Sequence, residues 1–180
     1  MGKNVFEALQ AARKEEELAV LLSCNERSVA YGLSLTREEA QELALCRNES
    51  LKKFQRVELG KGMLDKLIDV FCDSQYLQQD NYLETLEELQ EIFYEFKNLS
   101  NDKLTDDELL NFMKEQFEGV CYGDTEYLEG TCLSRFAEAI RSGYEGYEAT
   151  EGRGEYENFT EEKRWDKELY MEALKDLCWR

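Results

Sequence analysis

Along most of this 180-residue chain, apolar side chains return at every third or fourth position, the spacing that gathers them on one face of an α-helix. Residues 4–22 carry Val5, Leu9, Ala12, Ala19 and Leu22 on one broad face, and residues 26–31 form a short segment closed by Gly32. A third helix opens at Thr36 with Glu39 three residues on, a capping box, and continues through Ala40, Leu43, Ala44, Leu51 and Phe54. A turn at 59–62 leads into a fourth over 61–72, bearing Leu64, Leu67, Ile68 and Phe71. The strongest periodicity spans 81–97, where Tyr82, Leu86, Leu89, Phe93 and Phe96 share a face widened by Leu83 and Ile92, with Glu84, Glu87, Glu88, Glu91 and Glu95 filling the rest. That pattern predicts an amphipathic surface helix. A second capping box, Thr105 with Glu108, opens a helix bearing Leu109, Leu110, Met113 and Phe117. Further helices are predicted over 131–141 and from about residue 161 to the end, the latter with Thr160 as cap and Trp165, Leu169, Ala173, Leu174 and Leu177 as its apolar positions.

Residues 144–162 break this rhythm. Seven Glu stand against one Arg there, three Tyr and one Phe punctuate the stretch, and three Gly interrupt it. It is expected to form an irregular acidic, aromatic loop within a single domain spanning 1–180, with a small β-hairpin near 144–158 as the alternative. If that loop is a contact surface, Tyr144, Tyr147, Arg153, Tyr156 and Phe159 are the residues to carry it, since loops held on a scaffold supply more than their share of recognition. The fold class expected is therefore all-α, a compact orthogonal or irregular bundle of about seven or eight helices.

Composition narrows the function. The chain contains no proline, where average usage predicts about nine, so the helix stops fall to Gly, Asn, Asp and Ser. Forty acidic residues against 22 basic give a net charge of −18, which opposes binding to nucleic acid or to an anionic membrane surface. The densest basic groups, Arg47 with Lys52, Lys53 and Arg56, and Lys163 with Arg164 and Lys167, are interleaved with acids. No apolar run is long enough to cross a bilayer, and no apolar leader with a basic start is apparent, so a cytoplasmic setting is expected. Six cysteines, Cys24, Cys46, Cys72, Cys121, Cys132 and Cys178, then read as buried free thiols.

The chemistry that is missing is equally informative. Without a single histidine the chain has no Ser-His-Asp or Cys-His relay, no His-based zinc site and no Glu-x-x-His di-iron motif. The cysteines include no Cys-x-x-Cys, which argues against structural zinc, although Cys121 and Cys132 are close enough in sequence to meet in space. Gly60-Lys61-Gly62 lacks the loop length and the following Ser or Thr of a phosphate-binding P-loop. The stretch ending in Thr105 and Glu108 imitates the exit of a calcium loop, but Lys97 falls at its first ligand position. Carboxylate pairs at helical spacing, Glu84 with Glu88, Glu87 with Glu91 and Asp65 with Asp69, are what forty acids produce by chance on solvated faces. No catalytic residue, cofactor or metal is assigned.

Through Tyr31-Gly32-Leu33-Ser34-Leu35-Thr36, the following Glu38-Glu39-Ala40, and Arg56-Val57-Glu58-Leu59-Gly60, the chain resembles a family of small proteins of unknown function from anaerobic Gram-positive bacteria. The resemblance implies a bacterial cytoplasmic protein and transfers no catalytic residues. A protein-interaction or scaffold role is the expectation, with a protein partner or a homodimer in view. The alternatives are a carboxylate-based or magnesium-dependent enzyme and a small-ligand-sensing accessory protein, the last requiring an apolar pocket between helices.

Overall fold

A computed structural model of the chain describes residues 2–58, 62–135 and 137. The predicted hairpin, the acidic aromatic loop and the last helix all lie outside these residues. Among the described residues every regular element is helical and no strand occurs: α1 (Gly2–Ser23), α2 (Asn25–Ser28), α3 (Arg37–Lys53), α4 (Leu64–Phe71), α5 (Tyr82–Leu99), α6 (Asp106–Glu118) and α7 (Thr125–Tyr127). A 3₁₀ turn, Val29–Tyr31, extends α2, another, Gln79–Asn81, leads into α5, and a π-helical stretch, Leu128–Leu133, continues α7.

Local chemistry sets most boundaries. Gly32, at φ +76, takes the left-handed conformation that ends the turn after α2. Both capping boxes form: the Thr36 side chain accepts from the Glu39 N–H, the Thr105 side chain from the Glu108 N–H, and each glutamate returns a bond to its cap's N–H. Capping thus accounts for Thr105 and Glu108 with no ion involved. Between Gly32 and Thr36 the chain runs extended, and its polar groups are bracketed by side chains. Asn25 both donates to and accepts from the Leu35 backbone at 2.8 Å, and the Gln79 amide does the same for Ser34 at 2.9 Å. These bonds let Leu33 and Leu35 turn inward, where both are buried.

α5 is the centre of the bundle. It packs against α3, α4, α6 and α7, and Tyr82, Leu86, Leu89, Phe93 and Phe96 are all buried as their spacing predicts. Thr85, Gln90, Ile92, Tyr94 and Lys97 are buried as well, so α5 is a core helix and not the surface helix its glutamates suggested. Only Glu84, Glu88 and Asn98 among its polar side chains are exposed. On one flank the buried Gln90 donates to Ser50 Oγ at 2.8 Å, joining α5 to α3. On the other, Phe71 of α4 meets Phe117 of α6 edge to face at 5.6 Å between ring centroids.

Three further expectations are corrected. The fourth helix starts at Leu64, not at residue 61, because Gly62 takes φ +77, which an α-helix excludes. The seventh begins before residue 131: Asp124 caps α7 by accepting from the Tyr127 N–H at 3.0 Å, an Asx start overlooked in favour of the later apolar run.

The third correction concerns α1. Val5, Leu9, Ala12 and Ala19 do share a face, but all four are exposed, and the core takes Leu18 and Leu21 instead. At 100° per residue, the direction of Leu18 and Leu21 lies about 160° around the axis from the Val5, Leu9, Ala12, Ala19 stripe. Every side chain described from Asn4 to Glu16 is exposed. The Arg37–Glu15 ion pair, at 2.6 Å, ties this half of the helix to α3.

The two faces of α1 should therefore differ in energetic weight. Leu21→Ala is expected to cost about 2–5 kcal/mol for loss of a buried side chain, whereas Val5→Ala should stay within about 0.5 kcal/mol of the parent. Urea unfolding followed by circular dichroism checks both; equal losses would mean that the outward stripe is packed after all.

Candidate functional site

Among the described residues, two clefts and one exposed apolar stripe stand out on the surface. The larger cleft, about 380 Å³, lies where the segment after α3 crosses α5, with Arg56, Glu58, Lys66, Tyr94, Lys97 and Asp106 on its walls. Arg47 of α3 reaches Glu17 of α1 on one side and approaches Glu58 at 3.6 Å on the other. Glu58 in turn accepts the Met63 N–H at 2.8 Å and the Tyr94 hydroxyl. Burial, then the Glu58 carboxylate, drives the Tyr94 phenol far above its ordinary range, so it stays protonated and acts as a donor. Gly62 closes the turn against this carboxylate. A Cβ there would fall 1.7 Å from Glu58 Oε1, and φ +77 disfavours any side chain.

The remaining cations of this cleft are also held. Arg56 forks onto the Asp102 carboxylate and donates to Asn98 Oδ1 at 2.8 Å, and this pairing holds the Asp102 carboxyl below its usual range. Lys97 is buried, its ammonium donating to the Leu104 carbonyl at 2.7 Å and pairing with Asp106 at 3.0 Å. Lys66 pairs with Asp107 at 3.0 Å. Among the described residues each charge facing the cleft is thus matched, and the cluster's chemistry is that of a clasp joining α1, α3, α5 and the segment between α3 and α4. Lys97 occupies the very place where a calcium loop would need its first ligand.

The second cleft, about 370 Å³, is bounded by Glu26, Arg27, Tyr31, Asp69, Cys72 and Asp73. Arg27 pairs with Asp69 at 2.6 Å, and burial raises the Asp69 carboxyl above its usual range. Asp65, one turn earlier, has a buried Oδ1 without a hydrogen-bond partner among the described residues. Cys24 lies beside both, its thiol pushed up to about 11 by burial and then by Asp69 and Asp65, so at neutral pH it is a protonated thiol and not a nucleophile. Of the other helical-spacing pairs, Glu84 and Glu88 point to solvent while Glu87 and Glu91 are half-buried. Among the described residues no group of three or more Cys, Asp or Glu side chains is placed to hold a metal ion. Charged side chains make up about half of each wall, so neither cleft is the predominantly apolar pocket a ligand sensor would need.

The stripe on α1 is the third region. Val5, Phe6 and Leu9 are 63%, 62% and 60% exposed, side by side on two turns of one helix, with Ala8 and Ala12 completing the surface. The residues singled out from the Tyr- and Glu-rich stretch, Tyr144, Tyr147, Arg153, Tyr156 and Phe159, lie outside the described residues. Sequence reasoning missed Arg47, Glu58 and Tyr94, which converge from separate elements. The one local hint was Lys97 itself, four residues after Phe93 on the apolar face of α5.

The clasp has measurable consequences. Glu58→Ala removes the acceptor of the buried Tyr94 hydroxyl and leaves Arg47 with Glu17, and is expected to cost about 1–3 kcal/mol, with Glu58→Gln less harmful because an acceptor remains. Gly62→Ala should also destabilise, through both backbone and contact. Denaturant midpoints decide, and a neutral Glu58→Ala would contradict the clasp. On the opposite flank of α5, burial and then Glu129 hold the Glu95 carboxyl above its usual range. A raised carboxyl favours the folded state while protonated and opposes it once pH rises past its folded value. Glu95→Gln should therefore be more stable than the parent near neutrality, an advantage that vanishes in acid; urea midpoints across pH test this, and an advantage independent of pH would refute it.

Comparison with families of proteins places these observations. A family model described as a family of unknown function, DUF6323, matches residues 20–146. The matched span includes Tyr31 to Ala40 and Arg56 to Gly60, and it opens at Val20, where α1 meets the body. Neither the curated proteins nor the solved structures yield a match. With the family model covering well over half of its length, the chain belongs to the family of unknown function DUF6323.

Proposed function

We propose that the chain is a protein-interaction module whose outward half of α1 docks into an apolar groove of a partner protein. The observation that carries this reading is the exposed stripe itself. Val5, Ala8, Leu9 and Ala12 stand at positions i, i+3, i+4 and i+7, the anchor spacing of a helix recognised in a groove, and Phe6 extends the patch. A stretch of about four helical turns joined to the described body by the Arg37–Glu15 pair and with its apolar stripe exposed is marginal in water, so a groove that covers this half would also firm it. Two such stripes paired in a homodimer would share few large side chains, well short of the roughly 1,000 Å² of a stable interface. That favours a partner that wraps the helix. The net charge of −18 favours a protein over nucleic acid or an anionic membrane. No helix among the described residues is long and apolar enough to cross a membrane.

The same reading takes the chain as one domain in a cytoplasmic setting and assigns Tyr144, Tyr147, Arg153, Tyr156 and Phe159 as a second contact surface. A carboxylate- or magnesium-based activity has less to support it, because the charges of the larger cleft are taken up in ion pairs and, among the described residues, no three Cys, Asp or Glu side chains gather to hold a metal ion.

A Val5→Glu, Leu9→Glu double variant tests the docking surface, because both positions are exposed and the fold should tolerate them. Affinity capture with the parent chain is expected to recover a defined protein that the double variant, with an unchanged melting temperature, fails to retain. Equal recovery by both, or recovery of nothing, would count against the proposal. Light scattering of the parent is expected to report a monomer; a dimer dispersed by the double variant would replace the partner with a second copy.

A further inference from the structure

We propose that Cys121 and Cys132 form a reversible intramolecular disulfide, an oxidative modification site that fastens the end of α6 to the π-helical turn after α7. Their Sγ atoms lie 3.6 Å apart in van der Waals contact, and both side chains are buried in the core. The other described cysteines are engaged elsewhere: Cys24 Sγ donates to the Val20 carbonyl, Cys72 Sγ to the Asp69 carbonyl, and Cys46 of α3 accepts from Gln90 Nε2 of α5.

The surrounding backbone explains both the approach and how it can close. Cys121 stands in the turn that follows α6, its N–H bonded to the Gln116 carbonyl at 2.9 Å. The next residues, Tyr122 at φ +49 and Gly123 at φ +83, take left-handed conformations, and Tyr122 is 74% exposed. Gly123 is pressed against Tyr76 so closely that a Cβ would lie 2.6 Å from its ring. The turn thereby carries a conformational cost at a non-glycine residue beside solvent, which makes it a place for local opening. Cys132 lies within Leu128–Leu133, where the wider π turn redirects the side chains that follow relative to an α-helix. A disulfide needs the sulfurs about 1.5 Å closer than this contact, a shift within reach of χ1 adjustments and of the turn.

Oxidation by a hydroperoxide balances without another co-reactant. On opening of the turn, the Cys121 thiolate attacks a peroxide oxygen; the O–O bond breaks, and the departing hydroxide takes up the proton Cys121 released, leaving water and a sulfenic acid. The Cys132 sulfur then attacks Cys121 Sγ, the S–O bond breaks, and the hydroxide leaves as a second water with the Cys132 proton. Two thiols have lost two electrons and hydrogen peroxide has gained them. A dithiol reductant reverses the bond by exchange.

The full chain, purified reduced, is treated with hydrogen peroxide, alkylated and mapped by peptide mass spectrometry. The expected result is a loss of about 2 Da confined to one cross-linked pair of peptides containing Cys121 and Cys132, restored by dithiothreitol. Melting should shift upward by several degrees on oxidation, because closing a loop of about a dozen residues restricts the unfolded chain. Cys132→Ser should instead accumulate a sulfenic acid at Cys121 that dimedone traps. Cross-links through any other cysteine, or sulfinic and sulfonic products with no cross-link in the native parent, would overturn the proposal.

Discussion

Burial of α5 on almost all sides is the constraint from which the rest of the structure follows. A helix with exposed glutamates on one edge and aromatic and aliphatic side chains around the remainder has to be enclosed, and α3, α4, α6 and α7 provide that enclosure. Burying the large side chains of such a helix favours folding by about 1.5–3 kcal/mol each. Enclosure also carries polar groups inward, and several of them find partners where they lie. Gln90 finds Ser50, Lys97 finds the Leu104 carbonyl and Asp106, and Tyr94 finds Glu58. The clasp around Glu58 is a consequence of this packing, because Tyr94 of α5 is buried and finds its acceptor in the segment after α3.

That logic separates the body from its appendage. From Leu18 onward α1 contributes to the shared core, while the turns before it are joined to the body through Arg37 and Glu15. The family match opens at the same place, at Val20. An apolar stripe aimed away from the core of the described residues gains nothing from that core, and the proposed partner would give it a place for burial. The ion pairs lining the larger cleft point the same way, since walls neutralised in this manner leave little charge free for a ligand.

Much of the helical architecture was legible in the residues, for identifiable physical reasons. Capping boxes are local, so Thr36 with Glu39 and Thr105 with Glu108 located the starts of α3 and α6. The α5 face was legible because five large side chains repeat at helical spacing, although its glutamates masked how completely the helix is enclosed. In α1 two apolar stripes compete, and periodicity alone does not reveal which one meets a core. The start of α4 depended on the backbone angle of Gly62, a consequence of its place beside Glu58. The clasp and the approach of Cys121 to Cys132 arise between elements or across irregular turns, where spacing along the chain carries little information.

Amide hydrogen exchange resolved along the chain tests the central claim most directly, because it reports enclosure residue by residue. Amides from Leu86 to Phe96 should exchange slowest, through global unfolding, while those from Asn4 to Glu16 should exchange orders of magnitude faster in the isolated chain. Protection of the outer half of α1 equal to that of α5 would contradict an outward-facing stripe on a body built around one central helix.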